Sequence, residues 1–232
     1  MIRSVWLDLD NTLLDFDAYA QQAMREGFAR FGFYYEPWMF AVFQEETNAL
    51  WEAVGRGEMT REELEAVRWD RIFRRLGIQG DGAAFECFFK EGLHHSAILE
   101  PGARDLLCAL SAKYPLCLAS NGPVLQQTRR LEAGGLRGFF THLFLSEDLG
   151  AFKPAREFFE RALKRQNAGL SQPLAPNEIL MLGDSVSSDI EGAAAFGMKT
   201  CFYRRGRNLS PAAADFCIDD LKEAIKAMRD AR

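Results

Sequence analysis

Short apolar runs punctuate this chain at Ser4–Leu9 (SVWLDL), Leu116–Ser120 (LCLAS), His142–Leu145 (HLFL), Ile179–Gly183 (ILMLG) and Thr200–Tyr203 (TCFY). Each reads as a strand, and segments of helical period such as Gly102–Lys113, Glu157–Lys164 and Ser188–Phe196 lie between them. Alternating strands and helices predict a parallel sheet covered by helices on both faces, with right-handed crossovers. The expected core is therefore a doubly wound, Rossmann-like α/β domain with five parallel strands.

The pattern changes after the first strand. From about Asp17 to Leu93 no convincing strand occurs, and turn signals at Gly55-Arg56-Gly57 and Gly77-Ile78-Gln79-Gly80 divide the segment into consecutive helices. A helical insert over 16–96 predicts a small cap on two linkers, interrupting a core made of 1–15 and 97–232.

Two carboxylates interrupt the first strand. Asp8 and Asp10 fall where the chain should still be burying itself, and an isolated buried carboxylate is costly unless it is paired, hydrogen-bonded or bound to a metal. In a continuing strand, residues two apart point to one side, roughly 6–7 Å from each other, so both acids would face one ligand. Ligands of open α/β sheets bind beyond the carboxyl ends of the strands, and further polar clusters fall at such ends. Ser120-Asn121-Gly122 follows LCLAS and offers a hydroxyl and free N–H groups to an anion. Lys153-Pro154 precedes a helical segment; proline suits a first helical position, so Lys153 is expected at a helix amino terminus, where a cation makes sense if it neutralises an anion beside the sheet. Asp184 ends ILMLG, and Asp189 lies in or near the first turn of the next helix. Carboxylate oxygens with few other protein ligands are what Mg²⁺ prefers.

Composition narrows the partners. The 232 residues are 48% hydrophobic and 26% charged with net charge −5, an ordinary globule without a polybasic run, so neither a nucleic acid polymer nor an anionic membrane is drawn to it. The five scattered cysteines lack metal-ligand spacing and suit a reducing cytoplasm. No signal-peptide pattern or spanning apolar run is present, so a cytoplasmic protein is expected, and a small anionic substrate would have to be held by local chemistry.

In order and place, these clusters resemble the four motifs of the haloacid-dehalogenase-like hydrolase superfamily: D-x-D-x-T at Asp8–Thr12, Ser120, Lys153, and G-D-x-x-x-D at Gly183–Asp189. The helical insert resembles the superfamily's type 1 cap. Asn48-Ala49-Leu50-Trp51, Gly57-Glu58-Met59-Thr60 and Arg68 are similar to the cap of its bacterial pyrimidine 5′-nucleotidases. The resemblance implies Asp8 as nucleophile, Asp10 as general acid and then base, and Mg²⁺ held by Asp8, Asp184 and the main-chain carbonyl of Asp10. It implies phosphoryl contacts from Ser120, Asn121 and Lys153, with Asp189 orienting Lys153 or metal-bound water. Dehalogenases of the superfamily lack an acid at the Asp10 position, so phosphate ester hydrolysis of a small phosphorylated metabolite is the expected reaction, most simply of a nucleoside 5′-monophosphate. A sugar phosphate or phosphoglycolate phosphatase and a phosphomutase are the alternatives, and the intact motifs weigh against a non-enzymatic binding protein. In the cap, Trp51 shares a helical face with Gln44 and Asn48 and either stacks on a base or packs into the cap core. Arg68, between Leu64 and Ile72 on an apolar stripe, either pairs with a cap glutamate or contacts substrate.

Overall fold

The structure is a computed structural model that describes residues 1–230, with side chains through Ile225. The chain divides into two units: residues 1–15 with residues 97 onward, and Phe16–Ser96 between them. In chain order β1 (Ser4–Leu7) is followed by the helices of the second unit, α1 (Phe16–Phe31), α2 (Met39–Gly55), α3 (Arg61–Leu76) and α4 (Gly82–His95). The first unit resumes with α5 (Ala103–Ser111), β2 (Leu116–Ser120), α6 (Val124–Ala133), β3 (Phe140–Leu145), the one-turn α7 (Ser146–Leu149) and α8 (Arg156–Asn167). It continues through β4 (Ile179–Gly183), α9 (Gly192–Phe196), β5 (Lys199–Tyr203), β6 (Phe216–Ile218) and α10 (Leu221–Asp230).

The strands form one parallel sheet in the order β3-β2-β1-β4-β5-β6. The chain winds outward from β1 to β3, then returns to β4 on the other side of β1, so the topology reverses between β1 and β4. Their residues explain why β1 is apolar without alternation. Val5 and Leu7 pack on one face with Leu106, Leu107 and Leu110 of α5, while Trp6 packs on the other with Phe158 and Phe159 of α8. The buried Trp6 indole N–H still finds a partner, donating to Gln166 Oε1 at 2.8 Å.

Two expectations about the sheet need correction. It has six strands rather than five, because Phe-Cys-Ile of β6 is too short to show a period. β1 ends at Leu7, not Leu9; beyond it the Leu9 carbonyl accepts from the N–H groups of Thr12, Leu13 and Leu14, closing a turn. Asp8 and Asp10 therefore sit on a loop, not on one side of a strand.

In the helical unit, residues 56–60 and 77–81 separate consecutive helices. Thr60 caps α3 by accepting from Glu63 N–H while the Glu63 carboxylate takes Thr60 N–H, a reciprocal box worth about 1 kcal/mol. The interior is aromatic: Phe28, Phe43, Trp69, Phe73, Phe85 and Phe89 are buried together. Arg68 belongs to that interior. It is 5% exposed, forms two bonds to Glu86 at 2.5 and 3.0 Å, and lies over the Phe89 ring, so it is not free to contact substrate. Burial, opposed by Arg68, holds Glu86 above the usual carboxylate range. Removing one partner of a buried pair strands the other charge, so Arg68→Ala should destabilise the protein by about 3–5 kcal/mol. Joint replacement by Arg68→Met and Glu86→Leu should recover most of the lost thermal midpoint, as measured by thermal denaturation.

Candidate active site

The carboxyl ends of β1 and β4 place Asp8 and Asp184 side by side, and the Asp8 N–H remains bonded to Leu182 O at 3.0 Å. Carboxylate oxygens of Asp8, Asp184 and Asp189 come within 4.8 Å of one another. Asp189 reaches the cluster because a short π-type helix, Val186–Glu191, follows β4, with the Asp189 and Ile190 N–H groups donating to Ser185 O. A β-carbon at Gly183 would collide with the Asp189 carboxylate, so glycine is needed where the two approach. Asp189 is fixed by Ser185 N–H on Oδ2 at 3.0 Å and by Lys153 on Oδ1 at 2.6 Å.

Lys153 is 2% exposed, and its ammonium donates to Asp8 Oδ1 at 2.8 Å, Asp189 Oδ1 at 2.6 Å and Ala119 O at 2.7 Å. Burial alone would lower its pKa, but Asp189 and Asp8 outweigh burial and hold the ammonium charged. All three of its N–H bonds are spent on the protein, so the anions it neutralises are Asp8 and Asp189. It does not begin a helix as expected: α8 starts at Arg156, and the Lys153–Pro154 peptide is cis. Asn121 also departs from expectation. Its amide clamps the Lys153 main chain, accepting from Lys153 N–H at 2.8 Å and donating to Lys153 O at 2.9 Å, so its side chain positions Lys153 rather than meeting a phosphate.

The cluster gathers three carboxylates, of which the ammonium bonds two, and this leaves the pocket short of positive charge. Burial pushes Asp8 up to about 7 against the opposing pull of Lys153, with Asp189 and Asp10 adding to the rise. Burial, then Asp8 and Asp189, pushes Asp184 well above the usual carboxylate range; Arg207 and Arg205 only partly offset this. Among the described residues, Thr12 Oγ1 and Arg207 Nη2 approach the Asp184 carboxylate, both at a long 3.5 Å. An all-oxygen donor set with unrelieved negative charge fits a hard divalent cation such as Mg²⁺.

Asp10 is held apart from this cluster. Its Oδ2 accepts from Gln127 Nε2 at 2.8 Å and its Oδ1 from Arg130 Nη1 at 2.5 Å. Gln127 also donates to Ser120 Oγ at 3.0 Å, which in turn accepts from Gly122 N–H at 3.1 Å. Neither Gln127 nor Arg130 stands out in the sequence, because a polar helix rich in arginine reads as surface. Their spacing of three, which puts them on one face of α6 directed at the strand ends, was the signal available. The cap residues lie in the other unit: Asn48 is exposed, Trp51 is half-buried outside the aromatic cluster, and Gln44 donates to Asp17 Oδ2 at 3.1 Å.

Residues 2–197 match the haloacid dehalogenase-like hydrolase family. Among curated proteins, the chain is 34% identical to the pyrimidine 5′-nucleotidase PynA of Streptococcus pneumoniae, over 84% of this chain and 81% of that one. It is 30% identical to the pyrimidine 5′-nucleotidase YjjG of Escherichia coli, over 89% and 88%. Among solved structures, the magnesium-bound HAD-hydrolase YfnB of Bacillus subtilis superposes with a TM-score of 0.89 at 31% identity, over 98% of this chain and 99% of that one. With its site built from the family's motifs at the strand ends, the chain belongs to the haloacid dehalogenase-like hydrolases.

Proposed function

We propose that this phosphoric monoester hydrolase is a Mg²⁺-dependent phosphatase of nucleoside 5′-monophosphates, working through a phosphorylated Asp8. The observation that carries the mechanism is the division of the two acids: Asp8 is held in the carboxylate cluster by Lys153, and Asp10 is held separately by α6. The Asp8 carboxylate attacks phosphorus as the bond from phosphorus to the ester oxygen breaks, and the leaving oxygen takes a proton from Asp10. A water then gives its proton to Asp10 and attacks phosphorus, releasing phosphate and regenerating Asp8. Lys153 keeps the nucleophile oriented, and Ser120 donates to a phosphoryl oxygen. When bound by Asp8, Asp184 and the Asp10 carbonyl, Mg²⁺ would let the anionic nucleophile and the anionic phosphate approach and would stabilise charge on the phosphoryl group. The nucleotide specificity is supported by the similarity to the pyrimidine 5′-nucleotidases PynA and YjjG and by the Asn48–Trp51 cap segment. Among the described residues no helix is long and apolar enough to cross a membrane.

The test is a panel of nucleoside monophosphates, sugar phosphates and phosphoglycolate, assayed with Mg²⁺ and with EDTA. Hydrolysis should require Mg²⁺ and be most efficient for a pyrimidine nucleotide. No hydrolysis of any member would overturn the activity, and preference for a sugar phosphate would overturn the substrate class. Trp51→Ala should raise KM for the nucleotide roughly 5- to 150-fold, the range expected from losing base stacking, and leave p-nitrophenyl phosphate nearly unchanged. Equal losses on both esters would place Trp51 in a structural role.

A further inference from the structure

The partners of Gln127 define its orientation and, through it, the polarity of the site. Arginine offers only donors, so the Gln127 atom 3.0 Å from Arg130 Nη1 is the amide oxygen, as Oε1. The Nε2 end then faces Asp10 Oδ2 and Ser120 Oγ, both of which accept. Ser120 Oγ also accepts from Gly122 N–H, so both of its lone pairs are taken and its one proton must point along the remaining tetrahedral direction. Gln127 is fully buried and Arg130 is 1% exposed, so the arrangement is a built one. A β-carbon at Gly122 would collide with the Gln127 amide, which ties the glycine after Ser120-Asn121 to the same network.

We propose that Gln127 is a positioning residue that makes Ser120 an obligate hydrogen-bond donor to the transferred phosphoryl group and, with Arg130, holds the Asp10 carboxylate in place for the leaving oxygen. The role rests on the phosphatase reading and extends it to the face of α6 that meets the strand ends. One amide group then serves both halves of the reaction: it turns a hydroxyl that could accept into one that only donates, and it binds the acid that must meet the ester oxygen. Arg130 sets the amide and takes the other oxygen of Asp10.

The experiment compares wild type, Gln127→Leu and Gln127→Glu on p-nitrophenyl phosphate and glycerol phosphate, and titrates inorganic phosphate by calorimetry in Mg²⁺ buffer. Leucine removes the donor; glutamate still accepts from Arg130 but has nothing to give Asp10 or Ser120, and it serves as the second variant should the leucine protein fail to fold. In both, kcat for glycerol phosphate should fall roughly 10- to 100-fold and that for p-nitrophenyl phosphate only a few-fold, because a good leaving group needs little of Asp10. Phosphate binding should weaken about 5-fold, the scale of one hydrogen bond, and that weakening should vanish in a Ser120→Ala background. Arg130→Lys, which can still donate to Asp10, should keep more of kcat than Arg130→Ala. Equal losses on the two esters, or phosphate affinity unchanged by either variant, would overturn the inference. Should wild type hydrolyse neither ester, the phosphatase reading fails, and phosphate affinity alone decides: weakening that depends on Ser120 sustains the role of Gln127, and unchanged affinity overturns it.

Discussion

Asp8→Asn should reduce turnover by at least about 10⁴-fold, the scale on which loss of a nucleophile acts, while the protein stays folded. The amide matches the carboxylate in shape but is a poor nucleophile toward phosphorus. The fold survives because Lys153 keeps two acceptors, Asp189 Oδ1 and Ala119 O. Stability should not fall, and the sign follows from the protonation of Asp8. Folding raises its pKa from 3.8 to about 7, so the folded chain binds this proton more tightly than the unfolded one. The stability this provides is fully present below about pH 4 and lost as the pH rises through 7. Asparagine carries no such charge, so at pH 7 without metal the variant's thermal midpoint should equal or exceed that of wild type. A variant that retains near wild-type turnover would refute a nucleophilic Asp8. One that unfolds would show that the carboxylate mainly serves to balance Lys153.

Asp10→Asn should lower kcat about 10²- to 10⁴-fold for alkyl phosphates, the range for losing a positioned general acid, and by much less for p-nitrophenyl phosphate. Unlike the Asp8 change, it should also destabilise. Arg130 is almost wholly buried and loses a carboxylate at 2.5 Å, whereas the Asp10 side chain is 33% exposed, so the loss should be moderate, about 1–3 kcal/mol. Steady-state kinetics on the two esters separate proton transfer from scaffolding: a loss that is the same for both leaving groups would assign Asp10 a structural role.

The contrast between these two acids also shows which parts of the site can be read from sequence. Asp8, Ser120 and Asp184 are legible because each puts a polar group at or just past the end of an apolar strand, where burial demands a reason. Lys153 is legible only as one member of that set, and its attachment is not: a lysine before proline reads as a helix start, whereas the structure buries it on Asp8, Asp189 and Ala119 O. Asn121 reads as a turn residue or an anion donor, and only the fold shows it gripping the Lys153 backbone. Gln127 and Arg130 leave almost no trace, since the period of α6 does not say which polar face the sheet will cover. The sheet shows the same limit. Strands buried on both faces announce themselves by continuous apolar runs, while β6, three residues before Asp219-Asp220, has no period to detect. Arg68 had two readings from an apolar stripe, and its bonds to Glu86 choose between them.

In the proposed mechanism phosphorus passes through Asp8. The most direct measurement is acid-quenched, single-turnover mass spectrometry of the wild-type enzyme mixed with p-nitrophenyl phosphate and Mg²⁺. One phosphoryl group should appear transiently on the peptide carrying Asp8, with the lability of an acyl phosphate, and should be missing from Asp8→Asn. Turnover with that peptide unmodified at every time point, or phosphoryl transfer to a different residue, would contradict it.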